Sequence, residues 1–296
     1  MTKENIADWF RSLQDRICLA LEDIDREAKF ESDIWERPGG GGGHTRVIRN
    51  GNVFEKGGVN FSAVWGDTPD TILNALKLEK SDFFATGVSI VIHPNSPKVP
   101  IIHMNVRYFE MGNGVWWFGG GIDLTPIYIV RNDARFFHQT LKNTCDKFNP
   151  EFYPNFKTWA DDYFYIRHRK ETRGIGGIFF DHLKASELFT KEQRFEFVKA
   201  VGETFVPAYS EIVNRHKHES FTPEEKQWQL LRRGRYVEFN LVYDKGTKFG
   251  LDTDGRVESI LMSLPLLASW DYNTSVKPDS EEEFTLQNLK KEIDWV

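Results

Sequence analysis

Cysteine is nearly missing from this chain, with Cys18 and Cys145 the only two among 296 residues. Two thiols so placed exclude a disulfide framework and a cysteine-only metal centre, and they point to a reducing, cytosolic setting. A basic surplus is missing as well. The net charge is −6, which argues against nucleic acid as the main partner, because phosphate binding is carried by a cationic surface. No apolar run reaches the roughly 18 residues of a membrane span. The opening MTKENIADWFRSLQDR mixes acids and bases in a helical pattern and lacks a signal-peptide core. There is no internal repeat, low-complexity linker or convincing domain boundary. The five consecutive glycines Gly39–Gly43 are not followed by the Lys-Ser/Thr that a phosphate loop requires.

What is present is an aromatic-rich globular composition, 14% Phe, Trp and Tyr, in a chain long enough to bury a large core. The densest chemistry runs from Gly87 to Pro126. Three β-rich runs, Val88–Ile92, Pro100–Glu110 and Val115–Phe118, are separated by turn-forming residues and predict an antiparallel meander. Alternation along a strand puts His103, Asn105 and Arg107 on one face and Ile102, Met104 and Val106 on the other. The next run, Trp116-Trp117-Phe118, leads into Gly119-Gly120-Gly121 and Asp123. Consecutive glycines weaken a strand unless a backbone or ligand approaches closely, so these residues suggest a floor, a gap and a base. Asp123, desolvated beside Trp117, is expected to have a raised pKa.

Elsewhere, residues 4–27 carry the spacing of an amphipathic helix. The Gly39–Gly43 stretch predicts a mobile loop leading into a hairpin, Thr45–Ile48 with Val53–Phe54, that turns at Asn50-Gly51. Helices are expected over Arg131–Phe148, Asn155–Arg167, 190–217 (interrupted at Pro207) and from the Thr222 cap. The alternation Tyr236, Glu238, Asn240 against Val237, Phe239, Leu241 predicts a half-buried strand ending at Asp244, and VESILMSLP a short helix or strand. Two arginine clusters, one at Arg167, Arg169 and Arg173 and one at Arg232, Arg233 and Arg235, are the local cations an anionic ligand needs. The expected fold is a single α+β domain over 1–296, an antiparallel sheet covered by helices.

The motifs VSIVIHPNSPKVPIIHMNVRYFE, WWFGGGIDLTP, DDYFYIRHRKETRGIGGIFFD, LLRRGRYVEFNLVYDKGTKFGL, ESILMSLP and RPGGGGG closely resemble those of the oxygen-dependent coproporphyrinogen III oxidases. The likeness covers about Arg37 to Trp270. It implies a large, flat antiparallel sheet flanked by helices on both faces, assembled as a homodimer through roughly 236–271. The implied reaction converts two propionates of coproporphyrinogen III to vinyl groups, with carbon dioxide released and oxygen reduced to hydrogen peroxide, and yields protoporphyrinogen IX in haem biosynthesis. By resemblance, His103 is a proton donor, Arg107 and Asp123 are catalytic, and substrate contacts fall at Ser89, Asn105, Val106, Arg107, Asp244, Asp254, Gly255 and Arg256. Arg173 and Arg235 are further candidate anchors, since a guanidinium binds a carboxylate through two charge-assisted hydrogen bonds.

No redox cofactor is implied, although bacterial members associate a divalent, manganese-like metal with positions matching His93, His103, His138 and His168. One departure stands out: the second acid of the family's Phe-Phe-Asp-Asp run is His182 here. Two rival classes are a histidine-ligated metal hydrolase and a tetrapyrrole carrier that leaves its ligand unchanged.

Overall fold

The computed structural model describes residues 1–68, 73, 79–252 and 255–296. In chain order its strands are β1 (Glu31–Glu36), β2 (Gly41–Arg49), β3 (Phe54–Asp67), β4 (Asp82–Pro94), β5 (Ile101–Met111), β6 (Trp116–Thr125), β7 (Tyr165–Ile166), β8 (Glu171–Thr172) and β9 (Gly176–Leu183). The helices are α1 (Lys3–Asp25), α2 (Arg131–Asp146), α3 (Phe152–Tyr163), α4 (Lys191–His216), α5 (Pro223–Val242), α6 (Lys245–Asp252), α7 (Val257–Leu261) and α8 (Glu281–Asn288). Seven strands form one antiparallel sheet in the order β1-β2-β3-β4-β5-β6-β9, with β7 and β8 a separate ribbon.

Alternation decides what each face of the sheet does. Ile90, Ile102, Met104, Val106, Phe118 and Ile122 point one way and pack with Phe10 and Ile17 of α1 and Val198, Phe205 and Tyr209 of α4. Burial of such side chains is worth about 1.5–3 kcal/mol each, so this face fixes the register of the meander. The opposite face is only partly covered. Tyr236 of α5 packs on Val91 and Ile101, Phe164 after α3 packs on Phe179 of β9, and α7 lies against β2 and β3. There Ser259 bonds the Thr45 hydroxyl at 2.9 Å, and Asn60 donates to the Ser259 carbonyl at 2.7 Å.

The α+β architecture, the meander and the Asn50-Gly51 hairpin follow the sequence expectation, and helices lie on both faces of the sheet. Several details do not. The Tyr236–Val242 strand is instead the last third of helix α5. Its buried positions Trp228, Arg232, Tyr236, Phe239 and Asn240 have three- and four-residue spacing, and the Thr222–Glu225 capping box with Pro223 starts a helix that nothing stops at Gly234. The glycines are no loop beyond Gly40: Gly41–Gly43 belong to β2, because Ala63, Val64 and the Trp35 ring approach too closely for a Cβ. Strand β1 was not anticipated. Its burial shows no alternation, only Trp35 being less than exposed. Pro207 lies within a continuous α4.

Two interruptions of the ladder aim charges. Register shifts between Phe54 and Lys56 on β3, and the displaced Glu55 accepts from Arg233 of α5, which also donates to the Pro94 carbonyl at 2.8 Å. Both Glu55 and Arg233 are buried. The pair therefore clamps α5 to the sheet and sets where Tyr236, Phe239 and Asn240 fall. Removing Arg233 leaves the buried Glu55 with only the longer contact to Lys226 at 3.4 Å, so Arg233→Met is expected to lower unfolding free energy by about 3 kcal/mol in urea denaturation. A loss under about 1 kcal/mol would show that the clamp is dispensable.

Candidate active site

Register places His103 of β5 directly opposite Asp123 of β6. The His103 Nδ1 lies 2.7 Å from Asp123 Oδ1. Asp123 is 1% exposed, and its two oxygens also accept from Arg173 Nη2, each at 2.7 Å. Arg173, on the turn between β8 and β9, is itself buried. It donates to Asn240 Oδ1 at 3.0 Å, and its guanidinium carbon lies 4.3, 4.7 and 4.7 Å from the ring centres of Phe164, Tyr236 and Phe239. Three elements thus converge to hold one carboxylate.

Burial pushes the Asp123 carboxyl up, but Arg173 and then His103 outweigh it and hold the group below the ordinary carboxylate value. This corrects the expectation of a raised-pKa base. Asp123 stays ionised, with its lone pairs spent on Arg173 and His103. Trp117 does not flank it, stacking instead on Phe109 with ring centres 4.3 Å apart. An ionised Asp123 accepts the Nδ1 proton, leaving His103 Nε2 as the end with no partner among the described residues.

From His103 the same face extends through Asn105 to Arg107. Arg107 donates to Asn105 Oδ1 at 2.7 Å and pairs with Asp181 at 2.9 Å. Gly119 lies opposite Arg107, and a Cβ there would sit 2.5 Å from Asp181 Oδ1 and 2.8 Å from Arg107 Nη2. The missing side chain is the notch in which this pair meets. Further across, Gly87 opposes Arg107, Ser89 opposes Asn105, Asn60 opposes Ser89 and Gly43 opposes Ser62. The result is a floor of glycine, serine and asparagine with large side chains only at its margins.

Arg256 marks the far margin. It pairs with Asp33 of β1 at 2.5 Å, donates to Ser259 at 3.0 Å and lies over the Trp35 ring. Other expected contacts fall differently. The Val106 side chain is buried on the helix-packed face, so only its backbone borders the site. Asp244 caps α6 through Thr247 N and Oγ1 at 2.7 and 2.8 Å and accepts from Tyr163 at 2.8 Å. Gly255 donates to Gly250 O at 2.8 Å, while Asp254 lies outside the described residues. Arg173 is consumed by Asp123, and Arg235 pairs with Glu238 at 3.0 Å, so neither is a free anchor.

The four histidines each have their own surroundings. Burial pushes His93 down to about 3 and His138 down to about 4. His93 bonds the Ser263 carbonyl, His138 the Tyr153 hydroxyl and the Ile175 carbonyl, and His168 the Tyr243 hydroxyl and Glu238. Among the described residues no three metal-ligating side chains cluster. Sequence reasoning missed Asp33 and Asp181 as arginine partners and Asn240 as a support of Arg173. Only Asp181 carried a signal, in the acid that closes an apolar strand.

An imidazole fixed by a buried carboxylate, on a sheet face with guanidinium groups at both margins, defines an enzyme for an anionic small molecule. The chain belongs to the coproporphyrinogen III oxidase family, whose model matches residues 5–295. It is 52% identical over 297 residues to the mitochondrial oxygen-dependent coproporphyrinogen-III oxidase of Rattus norvegicus, covering 96% of this chain and 66% of the rat protein. It is 50% identical over 301 residues to the chloroplastic coproporphyrinogen-III oxidase 1 of Arabidopsis thaliana, covering 97% and 77%. It is 47% identical over 307 residues to the oxygen-dependent coproporphyrinogen-III oxidase of Prochlorococcus marinus (strain NATL2A), covering 96% and 88%.

The notch gives a direct test. Gly119→Ala meets only the tips of two flexible side chains, so the thermal midpoint should stay within a few degrees. Displacing Arg107 from its two acceptors should raise KM for an anionic substrate about 10-fold, roughly one charge-assisted hydrogen bond. An unchanged KM would exclude Arg107 as an anchor.

Proposed function

We propose that this chain is an oxidoreductase that converts two propionates of coproporphyrinogen III to vinyl groups with oxygen as acceptor, giving protoporphyrinogen IX in haem biosynthesis. The observation that carries this is the His103–Asp123–Arg173 chain beside a floor without bulky side chains, bounded by Arg107 and Arg256. Each propionate, with one oxygen and one proton, gives a vinyl group, carbon dioxide and hydrogen peroxide. One C–H hydrogen leaves the propionate carbon next to the ring as the carboxylate departs as carbon dioxide, the added proton supplies the second hydrogen of the peroxide, and the two electrons come from the substrate. An electron-rich pyrrole can react with oxygen itself once its N–H proton is removed. The roles are divided by geometry. Arg107 and Arg256 take carboxylates through paired donors. His103 Nε2 is the exchangeable proton position, accepting the proton in one step and returning it in another. Asp123 acts through His103, fixing the tautomer and offsetting positive charge on the ring, as Arg173 offsets its own. Ser89 and Asn105 supply hydrogen bonds on the floor.

The reaction is proposed to need no histidine-held metal, since both ring nitrogens of His138 and of His168 and the Nε2 of His93 are turned to other partners. A homodimer is proposed through residues 236–271, where Leu241, Val242, Val257, Leu266, Leu267 and Trp270 are exposed. Among the described residues no helix is long and apolar enough to cross a membrane, and the cytosolic placement rests on the scarcity of cysteine. Sedimentation of the 34.5 kDa chain at its monomer mass would overturn the dimer.

Freshly reduced coproporphyrinogen III should yield protoporphyrin after oxidation in air and none without oxygen, before and after chelation. His103→Gln should lower turnover by about 10²–10⁴ with little change in KM. Bound but unchanged substrate would support a carrier, and loss of activity on chelation a metal enzyme.

A further inference from the structure

The two margin arginines share an arrangement that the reaction does not explain. Each already holds a carboxylate of the protein. Arg107 Nη2 pairs with Asp181 Oδ2 at 2.9 Å while its Nη1 donates to Asn105, and Arg256 Nη2 pairs with Asp33 Oδ2 at 2.5 Å while its Nη1 donates to Ser259. One acceptor is charged and one neutral in both cases. The acids come from the first and last strands of the sheet, β1 and β9, so they approach from opposite ends.

One acid is aimed by a break in the pairing and the other by regular register. On β9 the register slips opposite Gly119, so that Asp181 and His182 together face one residue of β6. His182 takes φ 50°, and its N–H donates to Asp181 Oδ1 at 2.8 Å. This bulge turns Asp181 toward Arg107. It also accounts for the His182 departure, because Asp and His are both among the residues that tolerate left-handed backbone. Asp33 lies in line with Thr45, Asn60, Ser89 and Asn105. That row crosses four strand spacings, about 19 Å. Both pairs are open to water, with side-chain exposures of 36% and 24% for Arg107 and Asp181, and of 29% and 50% for Arg256 and Asp33. Pairs so exposed are weakly held, and an incoming carboxylate can displace them.

We propose that Asp181 and Asp33 are placeholder carboxylates, which hold Arg107 and Arg256 in their receiving orientation and give way when two carboxylates of the substrate arrive. This rests on the tetracarboxylate substrate proposed above. A ligand with two suitably spaced carboxylates replaces both resident acids. A ligand without carboxylates leaves both pairs intact and gains nothing at either margin. The placeholders are thus positioning and specificity residues that act through the arginines.

The test uses the full chain and coproporphyrin III, the oxidised tetracarboxylate, as an unreactive probe, with its tetramethyl ester as control, followed by fluorescence quenching. Asp181→Asn and Asp33→Asn should each tighten the acid by about two- to five-fold, the worth of an exposed pair, and the double variant by about the product. Ester binding should not move, a discrimination that a merely structural role would leave untouched. If an asparagine variant melts well below the unaltered protein, the serine variant replaces it. Acid binding unchanged or weakened in the variants overturns the inference alone. Failure of the unaltered protein to bind the acid overturns the proposed substrate, and the inference with it.

Discussion

The site depends on one buried ion pair, Arg173 with Asp123. Moving two charges out of water costs several kcal/mol each, and the pair is tolerable only because nearly every remaining hydrogen-bonding position is used. Asp123 takes two contacts from Arg173 and one from His103. Arg173 adds Asn240 and three aromatic rings, and only its Nε lacks an acceptor among the described residues. Such a pair is weak evidence for stability, since an apolar replacement often does as well. Its consequence is positional. Strands β5 and β6, the turn before β9, the end of α3 and helix α5 must all be seated before the charges are matched, and a seated pair leaves His103 a single orientation.

Irregularities of the sheet perform the complementary task. A regular ladder alternates faces without exception, so a charge that must reach a particular partner needs a local break. At Glu55 the break turns an acid toward Arg233 and ties α5 down. At Asp181 and His182 it turns an acid toward Arg107 over the gap at Gly119. The sheet therefore supplies rigidity through its regular pairs and aim through its two slips, and the glycines opposite Arg107 leave room for the result.

Period-two alternation from His103 to Arg107 made the working face legible in the sequence, and the Gly119–Gly121 run marked where side chains give way. Those signals are local. The error at Tyr236–Val242 was also local: seven residues cannot distinguish alternation from one face of a helix, whereas the twenty from Pro223 onward can. Asp123 lies on the face that alternation predicts, opposite His103, but its carboxyl is held below the ordinary value and not above it. Its pKa is set by Arg173, 50 positions away, and no spacing announces that partner. Asp33 was illegible for the same reason, being joined to Arg256 across 223 positions.

Charge balance links these features to recognition. A chain of net charge −6 offers little long-range attraction to a polyanion, and neutral margin pairs add little more beyond a Debye length of about 8 Å. Selectivity must then arise at contact, where the gain from a ligand carboxylate is the difference between its bond to arginine and the bond it replaces. That difference is small for each carboxylate and vanishes for an uncharged group. Discrimination consequently accumulates with the number and spacing of carboxylates, while the binding energy stays low enough for a product that has lost two of them to leave.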